Sequence, residues 1–208
     1  MWTKLECLND IALIIIDLQE FDIDPNCGAL ATQKPEVISH YLHSIHHRVL
    51  PNVKLLLAKA RERQVEVIHV RIQSLTQDGR DRSQGHKRLG IHIPPHSSGA
   101  AFIKGVEPHA DEIVLNKTSS DAFHTTALAQ ILRNLGKKQL IFCGVFTHEC
   151  VASTARSACD LSFEVRVIGD ACGSITDREH HHALEQLHDR YAQVIDTQNF
   201  ISELMSIP

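Results

Sequence analysis

Aromatic side chains make up only 5% of this 208-residue chain, with a single tryptophan and two tyrosines. Stacking a single-stranded nucleic acid takes a row of such rings, and the chain has none to spare. Basic residues are outnumbered by acidic ones. The 21 Lys and Arg against 25 Asp and Glu leave a formal net charge of -4, and the isoelectric point is near 6.4. No basic face is on offer to a phosphate backbone, so nucleic acid is not an expected partner. Membrane-spanning runs are missing as well. The apolar segment 11–16, IALIII, is far too short to cross a bilayer, and the stretch MWTKLECLND lacks the apolar core of a secretion signal.

Cofactor signatures are also absent. Neither GxGxxG nor GxxxxGK[ST] occurs, so the phosphate cradles of dinucleotide and nucleoside triphosphate sites are lacking. The 15 histidines include no HExxH. His180, His181 and His182 are consecutive on an expected helix and point in different directions, so they cannot chelate one ion together. No metal and no cofactor are expected. The six cysteines, Cys7, Cys27, Cys143, Cys150, Cys159 and Cys172, show no CxxC spacing, which favours reduced thiols and a cytoplasmic location. No repeat and no Ser/Gly linker divides the chain, and residues 1–208 are expected to form one domain.

What is present is ordinary in amount and regular in order. Hydrophobic residues are 43% and charged residues 22%, typical of a globular chain. Segment 11–16 is a continuous β-branched run, as in a strand buried on both faces. Residues 34–63 carry helical apolar spacing with Pro51 marking a kink or break. Further strands are expected at 64–72, 111–115, 139–143, 163–168 and 192–195, and further helices at 125–135, from about Cys150 to 160, and at 177–190. Residues 74–105 are the least regular, a long loop that either covers a cleft or forms a surface insertion. Strand and helix alternate along nearly the whole length. That pattern predicts an α/β fold: three layers, α/β/α, around a six-stranded, mostly parallel sheet.

Sites in such sheets lie beyond the carboxyl ends of the strands. Asp17 follows the first strand, Lys117 the third and Cys150 the fourth. Cys150 stands at a helix start, where the dipole and unpaired N–H groups favour a thiolate. A small apolar residue packing that helix start is the competing description of the same cysteine. Arg71 and Gln73 fall near the end of the second strand and face the same cleft as Asp17 if the strands align. Gln19, Phe123 and Phe146 complete the substrate-binding candidates.

Three segments together, IALIIIDLQ, EIVLNKTSSDAFHTTALAQILRNLG and LIFCGVFTHECVASTARSACDLSFEVRVIGDAC, resemble the isochorismatase-like cysteine hydrolases. That family holds nicotinamidases, N-carbamoylsarcosine amidohydrolases, ureidoacrylate hydrolases and biuret hydrolases. The resemblance implies a Rossmann-like sheet and an Asp17–Lys117–Cys150 triad. In such a triad Cys150 is the nucleophile, ionised near neutral pH, and Asp17 moves its proton. It also implies a non-prolyl cis peptide at Val145–Phe146, with the Phe146 and Cys150 N–H groups as the oxyanion hole. The expected substrate is a small amide, carbamoyl or ureido compound, cleaved at a C–N bond through a thioester. A homodimer or homotetramer is implied too. Alternatives on the same fold are vinyl-ether hydrolysis of the isochorismatase type and a non-catalytic, ligand-binding role.

Two departures from the family stand out. Many relatives have an x-Gln-x-Asp-Phe pattern after the first aspartate, whereas here Gln19 is followed by Glu20-Phe21-Asp22. The surroundings of Asp17 are therefore expected to differ in shape. Nicotinamidases carry an Asp-Trp-His stretch after the second strand that supplies metal ligands; here the place reads HVRIQSLTQDGRDRS. That points towards the metal-independent, ureido- and biuret-type branch.

Overall fold

The computed structural model describes residues 3–208. Six parallel strands form one sheet in the order β3-β2-β1-β4-β5-β6. They are β1 (Ile11–Ile16), β2 (Glu66–Ile72), β3 (Ile113–Lys117), β4 (Gln139–Val145), β5 (Glu164–Gly173) and β6 (Gln193–Ile195). The helices are α1 (Pro35–Ser44), α2 (Leu50–Glu62), α3 (Gln84–Arg88), α4 (Ala122–Thr125), α5 (Leu128–Asn134), α6 (Ala152–Asp160), α7 (Asp177–Leu187) and α8 (Thr197–Ser206). Helix α2 packs with α8 on one side of the sheet, and α6 packs with α4 and α7 on the other. The expected three-layer α/β/α fold is what forms. No helix among the described residues is long and apolar enough to cross a membrane.

The two central strands explain the layers. All six residues of β1 and all seven of β4 are buried, because helices cover both faces and leave no solvated side for alternation. From β1 the chain winds outward through β2 to β3. It then crosses back to β4 and winds the other way through β5 and β6. The carboxyl ends of β1 and β4 therefore flank the point where the winding reverses, which opens a crevice between their connections.

Several boundaries differ from the sequence reading, each for a local reason. The expected helix 125–135 is two helices. Thr126 has extended backbone (φ -134, ψ 174), and its hydroxyl donates to Ala122 O while accepting from Leu128 N–H, closing one helix and opening the next. Pro51 does not break the long helix. A π-turn, Ile45–Val49, absorbs it and joins α1 to α2, because a proline has no N–H for the preceding turn. Strand β5 runs on to Gly173, with a register shift opposite Phe142 and Gly144. Lys117 is the last residue of β3 rather than a residue beyond it.

Residues 74–105 are docked across strand ends rather than free of the body. Ser74 N–H donates to Ile93 O, Ser83 N–H to Thr118 O, Glu20 N–H to Ala101 O and Ile103 N–H to Leu18 O. The segment thus covers the ends of β1, β2 and β3.

Candidate active site

Gly144 is where the crevice starts. A Cβ there would lie 2.0 Å from Ile16 O, and its φ is +120; only glycine fits that approach and that backbone. Ile16 and Gly144 are paired in register, so the residues that follow them, Asp17 and Val145, emerge side by side. Asp17 has φ 53, a left-handed conformation that costs a non-glycine residue roughly 1 kcal/mol and that aspartate tolerates better than most. The turn carries Asp17 out of the sheet plane directly at the strand end. After β4 the chain passes through a cis peptide at Val145–Phe146, as the resemblance implied.

Cys150 lies in a π-turn, Thr147–Val151, that runs into α6. The Phe146 carbonyl accepts from the N–H groups of Glu149 and Val151. A π-type opening moves the first full helical bond one residue on, from i+4 to i+5. Cys150, the i+4 residue, is passed over by the Phe146 carbonyl.

Lys117 reaches this place from the edge of the sheet. Strand β3 is two strands from β1, roughly 9.6 Å away at the usual spacing, so only a long side chain closes the gap. Its Nζ lies 2.8 Å from Asp17 Oδ2, 3.2 Å from Cys150 Sγ and 3.0 Å from Ser119 O. Three partners match the three N–H groups of an ammonium. Asp17, Lys117 and Cys150 are all buried, at 1%, 0% and 4% exposure. The structure thus brings together the three residues that the sequence placed at separate strand ends.

Burial sets the protonation states. It works against the Lys117 ammonium, but the Asp17 and Cys150 charges more than reverse it, and the lysine pKa ends above its ordinary value. Burial raises the Asp17 pKa, with Lys117 pulling it back. Burial also pushes the Cys150 thiol well above its usual value, against the opposing pull of Lys117 and with Asp17 adding to the rise. This corrects the expectation of a thiolate near neutral pH: the resting group is a thiol beside an Asp17–Lys117 ion pair. The helix-start field and the lysine do not outweigh desolvation.

The substrate-binding candidates fare differently. Gln19 is fully buried; its amide donates to Ile72 O and Gly99 O and accepts from Ile72 N–H. It clamps β1's end to β2 and the covering loop, so its polar atoms are already spent. Arg71 is similarly engaged, donating to Asn116 Oδ1, Ala100 O and Gln73 Oε1, with its guanidinium over the Phe102 ring. Gln73 is held by the same contact. Phe123 stacks with Phe163 and lines a cavity of about 410 Å³ with Ser157 and Leu161. Its neighbour Ala122 donates its N–H to Thr154 Oγ1, one turn along α6 from Cys150, while the ring itself turns to Phe163 and that cavity. Phe146 stays with the Cys150 turn, meeting Tyr41 edge-on at 5.5 Å. One neighbour went unnoticed in the sequence, the Ser119 carbonyl on Lys117, a backbone group that no motif reports; Asp22 entered the sequence reading only as part of the departure after Gln19. Among the described residues, no group of His, Cys, Asp and Glu is arranged to hold a metal ion.

Known proteins resemble this chain in sequence and in fold. YddQ, an isochorismatase family protein of Bacillus subtilis, is 28% identical over 200 residues, covering 91% of this chain and 98% of that protein. Streptothricin hydrolase of Streptomyces noursei is 36% identical over 160 residues, covering 77% of this chain but 48% of the hydrolase. Among solved structures, an isochorismatase family protein from Desulfovibrio vulgaris superposes with a TM-score of 0.77 at 26% identity, covering 94% of this chain and 98% of that one. A cysteine hydrolase from Pseudomonas syringae shares the fold at a TM-score of 0.82 and 22% identity, covering 96% and 94%. The isochorismatase domain model matches residues 11–199, and the chain belongs to the isochorismatase family of hydrolases.

Proposed function

We propose that the protein is a cysteine amidohydrolase that cleaves a C–N bond of a small amide, carbamoyl or ureido compound, with Asp17, Lys117 and Cys150 as its catalytic residues. The observation that carries this reading is the Lys117 ammonium, 2.8 Å from the Asp17 carboxylate and 3.2 Å from the Cys150 sulfur. Lysine alone in such a place is a buried ion pair; a thiol added to it is a nucleophile with a base and a counter-ion at hand. Streptothricin hydrolase and the maleamate amidohydrolase of Pseudomonas putida, the latter 30% identical over 105 residues, are relatives whose names fit hydrolysis of this kind.

The chemistry follows from the protonation states. Asp17 takes the thiol proton as Cys150 Sγ attacks the substrate carbonyl carbon, and Lys117 stabilises the sulfur's negative charge while it exists. The carbonyl oxygen becomes an oxyanion, received by the Phe146 and Cys150 N–H groups. Collapse of this intermediate expels nitrogen, which needs a proton to leave as ammonia or an amine. The Asp17 carboxyl supplies it. A water, deprotonated by the same carboxylate, then hydrolyses the thioester and regenerates the thiol. A base that must give its proton back gains from a raised pKa, which burial gives Asp17.

The test is ammonia release from a panel of amides, ureides and biuret, with Cys150→Ala protein as the blank. Turnover that disappears in that variant, together with a covalent acyl adduct on Cys150 by mass spectrometry, is the expected result. Full activity in Cys150→Ala would sink the reading, and an adduct excludes a vinyl-ether cleavage that uses no nucleophile.

A further inference from the structure

Asp22 is a second buried carboxylate at this end of the sheet. It closes the short 3-10 turn Glu20–Asp22 that follows β1, and only 6% of it is exposed. Within that turn Phe21 packs against Gly28 and Gly99. A Cβ on Gly28 would lie 2.6 Å from Phe21 Cε1, and one on Gly99 3.3 Å from Phe21 Cβ, so the two glycines house that side chain.

The backbone of Asp22 is firmly held. Its N–H donates to Gln19 O, and its carbonyl accepts from Tyr41 Oη at 3.0 Å. The Tyr41 ring packs edge-on against Phe146, which ties Asp22 to the strand end that leads to Cys150. The side chain is not satisfied in the same way. Oδ2 is buried and has no hydrogen-bond partner among the described residues, although an ionised carboxylate is an acceptor with up to four sites. Burial pushes the Asp22 pKa well above its usual value, with Asp17 and Glu149 adding to the rise and Lys117 opposing it. Those three are the charges whose fields reach it. Lys117 is already shared among Asp17, Cys150 and Ser119, so it does not neutralise a further carboxylate.

We infer that Asp22 forms a substrate subsite for an ammonium group, so that the amide hydrolysed at Cys150 belongs to an amine-bearing, cationic molecule. The charges beside the nucleophile argue for that sign. Asp17 and Lys117 cancel, which leaves Glu149, 3.9 Å from His148, and Asp22, whose proton an approaching ammonium displaces. An ammonium brought against Asp22 supplies the missing donor and favours the ionised carboxylate. A carboxylate-bearing substrate meets like charge there, and Arg71, the cation the sequence offered for it, is bound to Asn116, Ala100 and Gln73. The amidohydrolase reading supplies the reaction in this inference, whereas the charge preference can be measured without any reaction on an amide.

The experiment is charge-selective labelling of Cys150 at pH 8. Aminoethyl methanethiosulfonate carries an ammonium and sulfonatoethyl methanethiosulfonate an anion. Each rate is followed on the Cys150 peptide by mass spectrometry and divided by the reagent's rate with 2-mercaptoethanol. Wild type is expected to favour the cationic reagent by about tenfold or more, and Asp22→Asn and Asp22→Ser to lose most of that preference. In parallel, ammonia release from β-alaninamide, butyramide and succinamate gives kcat/KM for cationic, neutral and anionic amides. The first is expected to lead butyramide by about tenfold, and Asp22→Asn to bring the two within about threefold. A labelling ratio unchanged in both Asp22 variants, or a wild-type preference for the sulfonate, overturns the subsite. If no amide is hydrolysed while the labelling ratio still follows Asp22, the amidohydrolase reading falls and the subsite stands.

Discussion

Lys117 Nζ stands 3.2 Å from Cys150 Sγ, with both side chains buried, yet the sulfur next to this ammonium is a thiol at rest because burial costs a thiolate more than one cation returns. The lysine's weight is therefore felt when the proton has moved, and its removal strands Asp17 as well. Lys117→Met is expected to abolish turnover and to destabilise the fold by about 3–5 kcal/mol, the cost of leaving one half of a buried pair. Cys150→Ala is expected to abolish turnover while changing stability by about 1 kcal/mol or less, since a thiol there is a small, weakly bonded group. Urea unfolding separates the two. Adding Asp17→Asn to Lys117→Met is expected to restore part of the lost stability, and a double variant less stable than the single one would contradict the buried pair.

The same protonation states predict two pH trends that rise in different ranges. Alkylation of Cys150 by iodoacetamide is expected to keep rising past pH 9, because burial lifts the thiol well above the range of an ordinary cysteine. Turnover has a different acid limb. It is expected to rise as Asp17 loses its proton, above the 3.8 of an ordinary aspartate, and Asp17→Asn is expected to lack turnover across that range. A Cys150 labelling rate already flat at pH 7 would show a resting thiolate instead.

The sheet and the three strand-end residues were readable in the chain because each depends on local signals: a β-branched run for β1, an apolar run for β4, and a chemically distinctive residue beyond each run. Lys117 shows the limit of that reading. Its place at the end of β3 was visible, but a reach across two strands to Asp17 depends on strand order, which no local pattern encodes. Gln19 and Arg71 looked like substrate ligands because polar residues at strand ends often are. Their use as clamps follows from where loop residues 99–102 dock, a long-range matter. The state of Cys150 was misjudged for a related reason. A helix start is visible in sequence, whereas the desolvation that overrides it comes from the packed whole.

Gly144→Ala tests the crevice itself. The added methyl would sit 2.0 Å from Ile16 O at a φ of +120, a clash with backbone in the middle of the sheet that no side-chain rotation relieves. A loss of about 3 kcal/mol or more is expected. Thermal unfolding at one pH is enough to measure it, and a variant as stable as wild type would mean that β1 and β4 do not approach in this way.

Gln19→Leu separates clamp from ligand. The substitution keeps the volume but leaves Ile72 N–H, Ile72 O and Gly99 O without their partner, at an expected cost of about 2–4 kcal/mol. Hydrogen exchange in residues 74–105 is expected to speed up with it. Were stability unchanged and only KM raised, Gln19 would be a substrate ligand after all.

Asp22→Asn is expected to stabilise the free protein, and to do so more as pH rises. Burial raises the folded-state pKa of Asp22 well above the 3.8 of an ordinary aspartate, so the folded chain keeps a proton that the unfolded chain gives up. Below the unfolded value both states are protonated and Asp22 contributes nothing to the difference. Between that value and the raised folded one, unfolding releases a proton, and stability falls as pH climbs. Above the folded pKa the loss is complete and constant. Asparagine has no proton to lose in this range, so the gap between variant and wild type opens upward from about pH 4 and then levels off. Melting temperatures at pH 4, 6 and 8 measure it directly. A gap that stays constant over those three points would mean that Asp22 is partnered, and a gap that closes with pH would mean that a cation already sits beside it.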